Sequence, residues 1–246
     1  MFTFNGVDFN TLVDVQEVER PLIAPQTIST SKSAGVAGAK ISRKVAEDYT
    51  INISFTIQSK NPTDLRNKAR NIADKLDTDE PARLIFHDEP DKYQMAILSD
   101  TSKLEQLGKY GVCTISFYCH DPYAYAISDD IIEFEGTTKE FVRKGTAHSY
   151  PIIEITGTTN GGTITIQSDH QKMTFSGLLS RGETLIIDSQ LLTAKITRSG
   201  NSRSAIMHLD TLDFVVLHRG VNTISVIPQN GATVTNTKII CNSRWK

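Results

Sequence analysis

The sequence predicts a mainly β chain with one helix, an α+β first half followed by an all-β sandwich or barrel. Three observations carry that class. Apolar and polar residues alternate across Thr50–Gln58, the period lengthens to that of a helix across Leu65–Leu76, and beyond Pro151 only short alternating runs recur. The 246 residues suit two ordinary domains, each large enough to bury its own core.

Phe2 and Phe4 precede Asn5-Gly6, and Val7 and Phe9 follow it, which predicts a tight hairpin with a type I′ turn. Val13, Val15 and Val18 predict a further strand, stopped by Pro21 and Pro25. Ser29–Lys40 holds small and polar residues with two glycines, so it contributes little core and reads as a loop or a hairpin arm. In Thr50–Gln58, Ile51, Ile53, Phe55 and Ile57 form the core face. Asn61 is placed to cap a helix, Pro62 suits its first position, and Leu65, Ala69, Ile72, Ala73 and Leu76 give it one apolar face. Strands return at Arg83–His87, Tyr93–Leu98 and Gly111–His120. Gly136, Gly145 and the polar residues around them predict a linker over 136–150, between domains at 1–135 and 151–246. The second half then runs through PIIEI, TITI, KMTF, TLIID, AKIT, AIMHL, NTISVI and ATVTNTKII, each read as a strand.

Charged residues are 22% and hydrophobic residues 39% of the chain, which fits a folded globular protein. No stretch approaches the ~20 apolar residues of a membrane helix, and the opening residues lack the pattern of a signal peptide. The three cysteines are a poor disulfide framework and read as core thiols. Residues 1–135 carry 14 Lys/Arg against 21 Asp/Glu, and residues 136–246 carry 12 against 7, so the first half is acidic and the second basic.

Chemical constellations are sparse. There is no Gly-Lys-Ser/Thr phosphate loop, no HExxH, no CxxC pair and no G-x-S-x-G elbow. His87-Asp88-Glu89 and His120-Asp121 are neighbours in sequence whose side chains diverge. No catalytic residue, metal or cofactor is expected. A sugar-binding sandwich is the rival reading, but an exposed aromatic platform would have to come from Phe141, Tyr150, Phe175, Phe214 or Trp245, several of them suited to the core.

The segment Phe117-Tyr118-Cys119-His120-Asp121-Pro122-Tyr123-Ala124-Tyr125 resembles the F-x-C-x-D-P-Y-A-Y ending of the first domain in the distal tail proteins of long, non-contractile phage tails. FTFNGVDF, TINISFTI, LRNKARNIADKL and LIFHDEPDKYQMA are similar to that family's pattern in the same order, and SYPIIEITG, TLIIDSQ, FVVLHRGVNTISV and Arg244-Trp245 echo it later. The resemblance implies a tail-tube-like first domain that closes a hexameric ring, followed by a galectin-like β-sandwich. It implies an architectural role in a virion made in a bacterial cytoplasm. The partners would be the tail tube protein, a tail-associated lysin or fibre hub, and receptor-binding proteins, with tape measure and DNA only passing through. At 246 residues there is no room for the inserted sugar-binding modules of larger members.

With that resemblance, the small polar arm becomes the candidate assembly interface, through Ser31, Lys32, Ser33, Gly35, Gly38, Lys40 and Arg43. The acidic first half leads to a second expectation, a ring lumen lined by carboxylates that repel passing DNA.

Overall fold

The computed structural model describes residues 1–246, which divide into two compact units, Met1–Ile127 and Ser128–Trp245. The first unit is built on one large antiparallel sheet. Its strands in chain order are β1 (Phe2–Phe4), β2 (Val7–Asp8), β3 (Asp14–Glu19), β4 (Gln26–Ser31), β5 (Lys40–Ala46) and β6 (Tyr49–Gln58). The helix α1 (Pro62–Leu76) follows, then β7 (Ala82–Phe86), β8 (Lys92–Thr101), β9 (Glu105–Leu107), β10 (Tyr110–Cys119) and β11 (Ala124–Ala126). The sheet order is β2-β1-β7-β8-β10-β6-β3, with β9 on β10 and β11 on β8. The polar segment before Tyr110 holds the short edge strand β9.

Local chemistry accounts for these elements. Asn5 and Gly6 both adopt positive φ, 47° and 77°, as a type I′ turn requires, and Phe4 sits opposite Val7. The Asn61 side chain accepts the Asp64 N–H at 2.9 Å, which satisfies an orphan donor at the start of α1, while the Asp64 carboxylate accepts the N–H of Lys60, just ahead of the cap, at 2.9 Å. The helix buries Leu65, Ile72 and Leu76 against a core that contains Ile51, Ile53, Phe55, Ile57, Ile115 and Phe117. Phe2, Phe4 and Phe9 complete that core. Phe2 stacks on Phe9 at 4.9 Å between centroids, and Phe4 meets Phe117 at 4.6 Å.

The D-P-Y-A-Y motif has a structural explanation. Asp121 accepts the Tyr123 N–H at 3.0 Å and the Tyr125 hydroxyl at 2.5 Å, so one carboxylate pins the turn that launches β11. Tyr125 stacks on Tyr93, over which the Arg83 guanidinium lies at 4.5 Å from the ring centroid. Asp121→Ala removes both acceptor interactions and is expected to lower the stability of the first unit by about 1–2 kcal/mol. Urea titration followed by tyrosine fluorescence measures this.

The second unit contains β12 (Asp130–Phe134), β13 (Thr138–Val142), β14 (Ile152–Thr158), β15 (Thr163–Gln167), β16 (Lys172–Phe175), β17 (Thr184–Asp188), β18 (Thr193–Arg198), β19 (Asn201–Ser204), β20 (Val221–Gln229) and β21 (Thr233–Cys241). They form a six-stranded sheet, β12-β21-β14-β17-β18-β19, and a four-stranded sheet, β13-β20-β15-β16. One core joins them, with Ile153, Ile155, Leu185, Ile187 and Ile239 from the first sheet meeting Ile164, Ile166, Met173, Ile224 and Val226 from the second. This is a β-sandwich. AIMHL is a short 3-10 turn (Ile206–His208) rather than a strand.

Residues 136–150 differ from the linker that glycines and polarity suggested. Within the second unit, β12 pairs with β21, β13 pairs with β20, and Arg143 is buried. Its guanidinium donates to Ala147 O at 2.9 Å, Leu217 O at 3.0 Å and Ser149 Oγ at 2.6 Å, and Ser149 Oγ in turn donates to Asn242 O at 2.7 Å. A cation thus knits three chain segments together through neutral acceptors. Gly145 belongs to the same knot, because a Cβ there would lie 2.5 Å from the Arg244 carbonyl oxygen.

Glu183, also buried, receives a forked contact from Arg203 at 2.5 and 2.9 Å and the Ser180 N–H at 2.8 Å. The Arg203 hydrogen bond, then the Ser180 N–H, hold its carboxyl at about 2 instead of the ordinary 4.5. Because the folded value is the lower one, its contribution to stability is complete above pH 4.5 and fades as pH falls toward 2. The stability gap between wild type and Glu183→Gln is expected to be wide at neutral pH and to close across that window, measured by denaturation at stepped pH.

The cysteines pair with nothing. Burial pushes the Cys119 thiol up to about 12 and raises that of Cys241, whereas Cys113 is half-buried.

Candidate assembly interface

The predicted arm is a hairpin. β4 and β5 form a two-stranded sheet that joins no other strand, and neither packs extensively on another element. Ser31 faces Lys40 at its outer end, Arg43 faces Ser29, and Lys32, Ser33, Gly35 and Gly38 make the tip beyond. Gly35 and Gly38 turn the chain there with φ of 80° and 90°. All seven candidate residues therefore lie on one projecting element, and every one of them is exposed.

The register gives the arm two unlike faces. Directly paired residues share a face, which places Thr27, Ser29, Ser31, Val45, Arg43 and Lys40 on one side. A bulge between Ser29 and Thr30 makes Ser42 the extra residue and pairs Thr30 with Ile41. Ile41 is thereby switched to the face of Ile28 and Lys44. Ile28 and Ile41 are 51% and 61% exposed, Val36 at the tip is 68% exposed, and Leu22 at the base is wholly exposed. Sequence reading missed this apolar face, whose only signal was a few isolated aliphatic residues within a polar run.

Electrostatics set the arm apart from the body that carries it. Residues 21–46 contain Lys32, Lys40, Arg43 and Lys44 and no carboxylate. The first unit's ion pairs lie elsewhere, at Arg20 with Asp88 and Glu89, Lys68 with Asp64, and Lys92 with Glu89 and Asp91. Residues 1–127 hold 14 Lys/Arg against 17 Asp/Glu, and residues 128–245 hold 11 of each. The contrast between halves is therefore weaker than the sequence suggested, because Asp129, Asp130, Glu133 and Glu135 belong to the sandwich. The sharper contrast lies within the first unit, where four unpaired cations project from a body with 10 Lys/Arg and 17 Asp/Glu.

Residues 8–119 match the family described as the phage tail protein RIFT-related domain, and residues 144–245 match the siphovirus-type tail component, C-terminal domain. The fold is that of the SPP1 Dit protein, whose structure is described as a paradigm of the hub adsorption apparatus in phages infecting Gram-positive bacteria. The likeness covers 100% of this chain and 98% of that one, with a TM-score of 0.82 at 18% identity. The phage p2 baseplate in its activated conformation with Sr is more distant, with a TM-score of 0.46 and 10% identity over 93% of this chain and 90% of that one. No curated protein sequence matches the chain. Fold and domain order together define a structural component of a phage tail. The chain belongs to the distal tail protein family of long, non-contractile phage tails.

Proposed function

We propose that this protein forms a ring of six copies at the distal end of the tail, joining the tail tube to the tip and its host-recognition apparatus. The carrying observation is the β4–β5 arm. A lone two-stranded hairpin is at best marginally stable in water, and this one exposes Ile28, Val36 and Ile41 beside four unpaired cations. Such an element gains by lying on another surface. A clasp of one patch on a different patch of the next copy is the heterologous contact that closes a ring. The first unit closes the ring in this reading. The remaining surface meets the tail tube protein, the lysin or fibre hub and receptor-binding proteins, while tape measure and DNA pass through the hole.

The role is architectural, without catalysis. A sugar-binding sandwich has weaker support, since Phe175 and Phe214 are buried, Phe141 packs on the core, and Tyr150 is held under Arg244 at 5.2 Å. Negative-stain microscopy of the purified protein, with sedimentation velocity, is expected to show sixfold rings with a central hole. A monomer at every concentration, both alone and mixed with the tail tube protein, would contradict the reading.

A further inference from the structure

We propose that the arm of one copy docks in the apolar groove beside α1 of the next copy, a reading that rests on ring closure by the arm. The groove has a volume of about 480 Å³. Its accessible lining is the partly exposed Ala69, Ala73, Leu98, Leu104 and Cys113, set over the core residues Phe55, Ile72, Leu76 and Ile115. Such a surface holds little attraction for water and for most charged partners.

Two complementarities select the arm as its occupant. The first is apolar. Ile28 and Ile41 share one face of the hairpin because the bulge brings them together, and half or more of each is left exposed. The groove offers the aliphatic surface those side chains lack. The second is charge. Asp74 and Asp77 line the groove, both are exposed, and neither is in an ion pair of the first unit. Asp100 and Glu105 stand on either side of Leu104 in sequence, against one cation there, Lys103. Lys44 stands on the arm's apolar face with Ile28 and Ile41, so a hairpin laid with its isoleucines inward carries that cation to the acidic rim, while Lys40 and Arg43 stay on the outer face. Each copy supplies one arm and one groove, and neither satisfies the other within the chain, which is the condition for a repeating contact.

The test is a charge exchange in the full-length protein, read by mass photometry and sedimentation velocity over a concentration series. The groove variant is Asp74→Lys with Asp77→Lys. Both sites are exposed, and a cation near the C-terminus of α1 suits the helix dipole, so the fold survives. The arm variant is Lys44→Glu, the cation on the face of Ile28 and Ile41. Each alone is expected to raise the midpoint for assembly at least about tenfold, the size of effect that loss of close charge pairs at an interface produces. The combined variant is expected to recover most of that loss. Circular dichroism and melting curves confirm that each variant is folded.

The outcomes separate the groove from the ring. If the groove variant assembles like wild type while a protein without the arm does not, the arm closes the ring elsewhere and the groove assignment is overturned. The groove assignment is equally overturned if both single variants are impaired but the combination recovers nothing. If wild type forms no ring at all, ring closure falls and takes the groove with it.

Discussion

Cutting the arm back to its base is expected to abolish ring formation while leaving a folded monomer. In this variant an Asn-Gly turn replaces Ile28–Lys44 and joins Thr27 to Val45, which face each other in the hairpin. The excised residues belong to neither hydrophobic core, so the melting temperature should move little, as for surface changes worth under about 0.5 kcal/mol. Assembly should respond far more strongly. Burying what remains exposed of Ile28, Val36 and Ile41 is worth roughly 1 kcal/mol for each side chain, and about 1.4 kcal/mol is a tenfold change in affinity. Excising only Lys32–Ala39 removes Val36, Lys32 and the outer reach of the arm, and it too is expected to block rings. Normal rings from the variant that lacks the whole arm would show that another surface closes them.

The second large effect is expected at Arg143. Arg143→Ala takes the guanidinium donor from Ala147 O and Ser149 Oγ in the buried interior of the sandwich and leaves Leu217 O with only the Ser149 N–H. Hydrogen bonds to a charged group are worth more than neutral ones, and stranded buried acceptors cost more than a removed pair. A loss of about 3 kcal/mol is expected, and Arg143→Lys should recover only part of it because an ammonium cannot reproduce the guanidinium fork. Hydrogen exchange of the full chain locates the effect. Protection should fall around Ser149, Leu217 and Asn242 and hold in β6 and β10, and an even loss across both units would count against a local role for Arg143.

Arg143 also shows where the sequence is hard to read. It lies between Gly136 and Gly145 in a run whose composition is that of a linker, and only the fold reveals that Leu217 and Asn242, distant in sequence, close over it. The join between units therefore falls at Ile127 and not within 136–150. Elements with a strong period were legible. Thr50–Gln58 became β6, and Leu65–Leu76 became most of α1 with Asn61 as its cap, because burial repeats every two residues in one and every three or four in the other. Short polar edge strands were not, since β9 and β19 bury nothing that would mark their period. AIMHL alternates like a strand, yet its Met207 faces solvent from a 3-10 turn. The arm was legible as a projecting segment from its lack of core residues. Its apolar face was not, because which side Ile41 takes depends on a single extra residue, Ser42, in the ladder.

Cys113 gives the groove a chemical gauge. It lies among the groove residues and is half-buried, whereas Cys119 and Cys241 sit within the two cores. A thiol reagent of modest size therefore reads one site in the native chain without any engineered label. Alkylation should be brisk in a dilute monomer and slow once copies have closed on one another, so its rate against concentration would trace the filling of the groove in solution. Adduct formation at Cys113 should in turn poison closure, because the added group takes the space meant for an isoleucine.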